Sequence, residues 1–194
     1  MKLAVIFLAA GLSTRMGSPK LSLSFQGKPL IFHTISPFQE AKFKHLFAVI
    51  GKKNLILEKQ LDELSVTKIH NRNHLQGMNS SVFCALEKLE NFEAFCILPA
   101  DQPFISTETL AKLWTDFCKS ECEVLIPKFK GKKGHPVFFA KKVRDKILSL
   151  EGDFLLKRGL AHFIAKTIFC DVQDKFTTFD VDTPNDLKKL KEMT

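Results

Sequence analysis

Apolar residues along the chain fall into two kinds of run. Residues 2–8 (KLAVIFL), 45–50 (HLFAVI), 94–98 (AFCIL) and 123–126 (EVLI) are short and nearly continuous, the pattern of strands covered on both faces. Elsewhere apolar positions return at three- and four-residue spacing, which predicts helices over 29–40, 54–64, 80–89, 107–119, 141–150 and 184–193, several opened by Ser, Thr or Asn. Strand and helix alternate, so the pattern is that of the α/β class: a mainly parallel sheet with helices on both faces, joined by right-handed crossovers. In such a sheet the ligand site lies beyond the carboxyl ends of the strands. Residues 128–140, with KGKKG between two runs of Phe and Val, read as a hairpin near the sheet edge.

Composition narrows the class. With 194 residues, 45% of them apolar and 26% charged, the chain is the size of one ordinary domain able to bury a core, with no repeat or low-complexity tract. A single domain over 1–194 is expected. No apolar run reaches the roughly 18–20 residues needed to cross a bilayer. Met1, Lys2 and the apolar run after them imitate a short signal peptide, but Arg15 follows soon after, and a buried first strand fits the run better. The five cysteines are odd in number, sit mostly inside apolar segments and read as reduced residues of a cytoplasmic protein. Cys118 and Cys122 are four apart, yet no second Cys or His pair stands near them to complete a zinc site. Lys and Arg exceed Asp and Glu by 29 − 21, a formal charge of +8, which invites polyanionic partners. A nucleic-acid binder interleaves exposed aromatics with its cations, whereas most of the 19 Phe here lie in apolar runs, so no nucleic-acid partner is expected.

The loop after the first strand, LAAGLSTRMGSPK at residues 8–20, carries the first chemical signal. Gly11 and Gly17 let backbone amides approach a ligand, and Arg15 and Lys20 add two cations to the same loop. That combination predicts an anion cradle rather than an ordinary glycine turn. It is not a Walker loop, since Lys20 lies three residues beyond Gly17 with Pro19 before it and no Ser or Thr after it, nor is it the dinucleotide G-x-G-x-x-G.

LAAGLSTRMGSPKL also resembles, almost position for position, the amino-terminal signature of the MobA-like nucleotidyltransferases. That family includes molybdenum-cofactor cytidylyl- and guanylyltransferases and, more distantly, sugar-phosphate and methylerythritol cytidylyltransferases. Further landmarks follow in order. QGMNSS at 76–81 resembles the family's glycine-serine segment before a helix, LPADQPF at 98–104 its metal-binding Asp loop, GHPVFF at 134–139 its acceptor-side segment, and DVDTPNDL at 180–187 its closing motif. The resemblance implies a Rossmann-like three-layer fold of the nucleotide-diphospho-sugar transferase type. It implies transfer of a nucleoside monophosphate from a nucleoside triphosphate to an acceptor phosphate, with release of pyrophosphate. It also implies that Leu8, Ala9, Ala10, Gly11, Arg15 and Lys20 meet the nucleotide, and that His135 and Pro136 meet the acceptor.

These residues suit that chemistry on physical grounds. Gly77, Ser80 and Ser81 precede a helix, where amides and hydroxyls at a positive terminus receive a base carbonyl or a phosphate oxygen; the plainer role is a Ser N-cap. Asp101 directly follows a buried strand, which sets a carboxylate at the carboxyl edge of the sheet beside the cradle. A carboxylate there suits Mg²⁺, which takes one or two protein carboxylates plus phosphate oxygens and water. Ser106 and Thr107 are better placed than Asp101 to cap the next helix. Asp180 and Asp182 alternate along an extended segment and face the same side. The resemblance favours Asp182 as the second metal carboxylate and Asp180 after it, with Thr183 able to cap the following helix. A phosphate monoester has its second pKa at about 6, so the acceptor is already largely ionised at neutral pH and needs no general base. Arg15, Lys20 and Asp101 are therefore the expected catalytic residues, acting by positioning and charge neutralisation.

Donor and acceptor rest on smaller features. Guanylyltransferases of the family usually begin Leu-Ala-Gly-Gly, and Ala10 stands in the third place here, which favours CTP over GTP. The expected acceptor is molybdopterin or molybdenum cofactor, with a molybdoenzyme as onward partner; a sugar phosphate or methylerythritol phosphate is the alternative. One segment departs from the family: where cytidylyltransferases usually carry Gly-Asp-x-Gly-x-Arg, this chain keeps Gly152 and Asp153 but has Leu155 for the second Gly. Lys128, Lys130, Lys132 and Lys133 read as a solvated hairpin tip that steers an anionic substrate. A non-catalytic nucleotide-binding module would need the cradle but not two metal carboxylates.

Overall fold

The computed structural model describes residues 1–11, 16–17, 19–51, 54–150 and 155–194. In chain order its elements are β1 (Leu3–Leu8), β2 (Ser24–Phe25), β3 (Lys28–Pro29), α1 (Leu30–Glu40), β4 (Leu46–Ile50), α2 (Leu55–Glu63), β5 (Thr67–His70), α3 (Met78–Lys88), β6 (Ala94–Pro99), α4 (Thr107–Lys119), β7 (Val124–Phe129), β8 (Lys132–Lys133), β9 (Val137–Ala140), α5 (Lys141–Leu148), α6 (Leu155–Ala161), β10 (Thr167–Asp171) and α7 (Pro184–Met193). Each run predicted from periodicity is present, the fourth strand continuing to Phe129.

Among the described residues eight strands form one sheet in the order β10-β7-β9-β6-β1-β4-β5, with β8 folded back onto β7. β1 pairs in parallel with β4 and β6, β4 with β5, and β7 with β10. β9 alone among these long pairings runs antiparallel, to both β6 and β7. This corrects one expectation: the segment 128–140 turns back at its basic tip, but β9 inserts between β6 and β7 in the sheet interior rather than at an edge. Its Val137, Phe138 and Phe139 are all buried, and a strand apolar on both faces is stable only where both faces are covered.

Period-two alternation divides β1 between two cores. Val5 and Phe7 join Phe38, Leu61 and Leu113 from α1, α2 and α4 on one face. Ala4 and Ile6 join Val82, Leu86, Val143 and Ile147 from α3 and α5 on the other, giving the expected three layers. Phe7 and Phe38, both fully buried, meet edge to face at 5.1 Å, each contributing about 2–3 kcal/mol by burial. A third cluster, Phe25, Leu30, Val181 and Leu190, binds the β2–β3 hairpin to α7.

The chain leaves β1 for β4 and β5 on one side, then crosses back to place β6 on the other. The strand order therefore reverses beside β1. The crevice at the carboxyl ends of β1 and β6 is the topological switch point, where open α/β sheets bind their ligands. Among the described residues no helix is long and apolar enough to cross a membrane.

Candidate functional site

Leu8 pairs with Pro99, so the glycine loop and the Asp101 loop leave the sheet side by side. Ala9 donates its N–H to Val49 O at 2.9 Å, and Ala100 donates to Leu8 O at 3.1 Å, extending the parallel ladder into both loops. Leu8 to Gly11 thus lead directly out of the switch point, and a Cβ built on Gly11 meets nothing within 4 Å, leaving open space beside that backbone. Arg15 lies outside the described residues, as do Gly152 and Asp153.

A feature of α1 fixes the Asp101 loop. Pro37 inside the helix has no N–H for the carbonyl of His33 four residues earlier. That carbonyl instead accepts from Phe104 N at 3.0 Å, while Thr34 Oγ1 donates to Ala100 O at 2.8 Å. From the opposite side Val181 N donates to Asp101 O at 3.0 Å. The closing segment with Asp180 and Asp182 is thereby drawn to Asp101.

Lys20 sits in a short 3₁₀ turn anchored by buried Leu21 and by Ser22 Oγ donating to Gln60 Oε1 at 3.0 Å. Its ammonium is held between two carboxylates, donating to Asp101 Oδ2 and, at 2.8 Å, to Asp182 Oδ1. Burial opposes charge on Lys20, but its bonds to Asp101 and Asp182 prevail and raise its pKa. Burial pushes Asp101 up from the usual carboxylate range, with Lys20 pulling it down and Asp180 adding to the rise. The second oxygen of Asp101, Oδ1, is buried and has no hydrogen-bond partner among the described residues. Three residues singled out in sequence, separated by up to 162 positions, therefore meet in one cluster.

Asp180 is brought to the same place but is held differently from Asp182, accepting from Gln102 Nε2 at 2.6 Å. His135 stands beside Asp180; burial lowers its pKa and Asp180 opposes that shift. Its peptide bond to Pro136 is cis. Gly134 is obligatory here, since a Cβ would lie 2.2 Å from Thr177 O, and that close approach allows His135 N to donate to the same oxygen at 2.8 Å. Lys132 Nζ reaches Thr178 O at 3.3 Å, so the basic hairpin is tied to this wall of the site. Lys128 and Lys133 face each other across β7 and β8, both over the Phe169 ring.

The serine segment departs from expectation. Helix α3 begins at Met78, two residues early, with Gly77 at φ 90° as its N-cap, so neither serine is the cap. Asn71, 3% exposed just beyond β5, donates Nδ2 to Ser80 Oγ at 2.9 Å and Ser81 Oγ at 3.0 Å. Ser80 Oγ in turn bonds Gly77 O and Asn73 O. The hydroxyls shape the loop from within, and the Gly77 backbone is itself tied inward, its N–H donating to His74 O and its carbonyl accepting from Ser80. Asn71 and Gln102 are site-shaping residues that the sequence reading passed over. Gln102 lay in the quoted LPADQPF, but Asn71 follows a strand too short and polar to mark itself.

The donors present are hard carboxylate oxygens, and Asp101 Oδ1, without a partner among the described residues, is the kind of atom a hard divalent cation takes. Among the described residues no group of three or more His, Cys, Asp or Glu forms a closed metal site. An ion here would complete its shell with substrate oxygens and water. Ser106 and Thr183 cap α4 and α7, leaving Asp101 and Asp182 free of that duty.

Residues 5–170 match the MobA-like NTP transferase domain. Molybdenum cofactor cytidylyltransferase of Escherichia coli K12 is 23% identical over 187 residues, covering 96% of this chain and 94% of that protein. Bifunctional proteins named GlmU are matched over only 25–33% of their own length. A nucleotidyl transferase structure from Methanothermobacter superposes with a TM-score of 0.82 at 16% identity, covering 99% of this chain and 97% of that one. A Mycobacterium tuberculosis H37Rv protein solved in complex with manganese gives 0.78 at 20% identity over the whole of both chains. At these identities the superpositions speak for the fold. With the domain match running over most of its length, the chain belongs to the MobA-like NTP transferase family.

Proposed function

We propose that this protein transfers a nucleoside monophosphate, CMP in preference to GMP, from the triphosphate to the phosphate of molybdopterin or molybdenum cofactor, releasing pyrophosphate. The observation that carries the reading is the Lys20 ammonium clasped between Asp101 and Asp182 at the switch point, with one Asp101 oxygen left without a partner among the described residues. Ala10 and the Escherichia coli relative favour the cytidine donor and the pterin acceptor. The alternative acceptors are a sugar phosphate or methylerythritol phosphate. A cytoplasmic setting agrees with five free cysteines, Cys96 fully buried among them.

In this reading Leu8 to Gly11 lay the backbone along the triphosphate, and Arg15 and Lys20 neutralise it. Asp101 and Asp182 would hold Mg²⁺, which supplies charge neutralisation at the transferring phosphorus. The Lys20 ammonium keeps the two acidic groups from repelling one another, and a triphosphate offers it a more highly charged partner. The turn at residues 77–81 meets the nucleoside, and Gly134 to Pro136 wall the acceptor. The acceptor arrives ionised, so the site needs no base, and the neutral His135 has a binding role only. Pyrophosphate release measured for CTP, GTP, UTP and ATP with Mg²⁺, each against molybdopterin, glucose 1-phosphate and methylerythritol 4-phosphate, tests the proposal. CTP with molybdopterin is expected to be fastest. Silence across the whole panel overturns the transferase reading in favour of a binding module.

A further inference from the structure

Gln102 follows Asp101 in the same loop and is 2% exposed. Its Nε2 donates to Asp180 Oδ1 at 2.6 Å. A carboxylate at neutral pH only accepts, so the amide nitrogen must face Asp180 and the amide orientation is fixed by chemistry. Oε1 is thereby turned away, buried, and without a partner among the described residues. Such an orphaned acceptor is destabilising and uncommon in folded proteins. Nδ1 of His135 is a second buried atom without a partner among the described residues. Asp180 joins the two, bonding Gln102 and lying close enough to Asp101 and His135 to act on their charges.

A carbonyl lone pair repels phosphate and accepts O–H or N–H. We propose that Gln102 determines acceptor specificity: its Oε1 receives a neutral hydrogen-bond donor on the acceptor's body, close to the phosphate that reacts. This deepens the transferase reading and rests on it. Hydroxyls of a polyol phosphate and ring N–H or amino groups of a pterin share that donor chemistry.

The test compares kcat/KM, with CTP and Mg²⁺, for molybdopterin, glucose 1-phosphate, methylerythritol 4-phosphate and ethyl phosphate, the last a monoester with no donor on its body. In the wild type at least one donor-bearing phosphate should exceed ethyl phosphate by about 100-fold. Whether that acceptor is the pterin or a polyol identifies the source of the donor. Gln102→Met, similar in length but without the acceptor oxygen and without the Nε2 donor to Asp180, should cut that ratio by about 10- to 100-fold. A purely structural role would lower both rates alike and leave the ratio intact, which overturns the proposal. Equal kcat/KM for ethyl phosphate and every donor-bearing phosphate in the wild type also overturns it, with no need for the variant to fold. Pyrophosphate release from none of them, ethyl phosphate included, defeats the transferase reading itself and this proposal with it.

Discussion

Replacing Lys20 with Met preserves the bulk of the side chain and removes its charge. The side chains of Lys20 and Asp101 are only 12% and 17% exposed, whereas Asp182 is 41% exposed. Without the ammonium, Asp101 is left as a buried carboxylate near Asp180 with its burial no longer offset. Breaking a buried pair by removing one partner costs about 3–5 kcal/mol, and water reaching Asp182 places this case near the lower end, about 3 kcal/mol. For a chain of this length that is a fall in Tm of roughly 6–12 °C at neutral pH. The deficit should depend on pH. Burial already raises the Asp101 pKa, and Lys20 is the group that restrains it. A carboxyl whose folded pKa lies above its unfolded value of about 3.9 stabilises fully below that value, and the contribution is lost as pH rises through the folded pKa. Loss of Lys20 moves that folded pKa further up. The variant should therefore approach wild-type stability near about pH 4 and fall behind it as pH rises to neutrality. Scanning calorimetry across that range reads both curves. Equal Tm values throughout would refute the ion-pair geometry, and a gap that widens toward acid would refute the charge argument.

Two other substitutions probe the walls of the site. Gly134→Ala places a Cβ 2.2 Å from Thr177 O and forces apart the His135 N to Thr177 O bond, costing about 2–3 kcal/mol in urea unfolding; an unchanged midpoint would contradict the close approach. Asn71→Ala removes the donors that set Ser80 and Ser81, so the KM for the nucleoside triphosphate should rise roughly tenfold, about 1.4 kcal/mol. An unaltered KM would remove the residue 77–81 segment from the nucleotide site.

The long elements were legible because their burial is written in one dimension. LAVIFL in β1 is apolar on both faces, and α4 repeats apolar residues on one side, so each declares its partner layer. The shorter elements carry no such mark. TKIH in β5 lies at a sheet edge with a single buried residue, and its strand character comes from pairing with β4. The place of β9 depends on where the chain returns after β8, a long-range choice that apolar VFF constrains only to the interior. For the site, Lys20 was visible as a cation in a glycine loop and Asp101 as a carboxylate at the end of a buried strand, whereas Asp182 was singled out over Asp180 by the family resemblance. Gln102 was not, because its interest lies in which of its two amide atoms Asp180 engages. The clasp of Lys20 by both carboxylates likewise belongs to the folded chain, where Val181 N binds Asp101 O and sets the two loops in register.

The central claim is that Asp101 and its neighbours bring an acceptor phosphate to the α-phosphorus of a nucleoside triphosphate. CTP labelled at that phosphorus, incubated with Mg²⁺ and molybdopterin, follows it directly. The wild type should move the label into a pterin-linked diphosphate with one pyrophosphate released per transfer, and Asp101→Asn should lose this by about 100-fold or more while keeping its fold. Label transfer by Asp101→Asn at the wild-type rate, or none by the wild type with any of the four triphosphates and any acceptor phosphate, would contradict the claim.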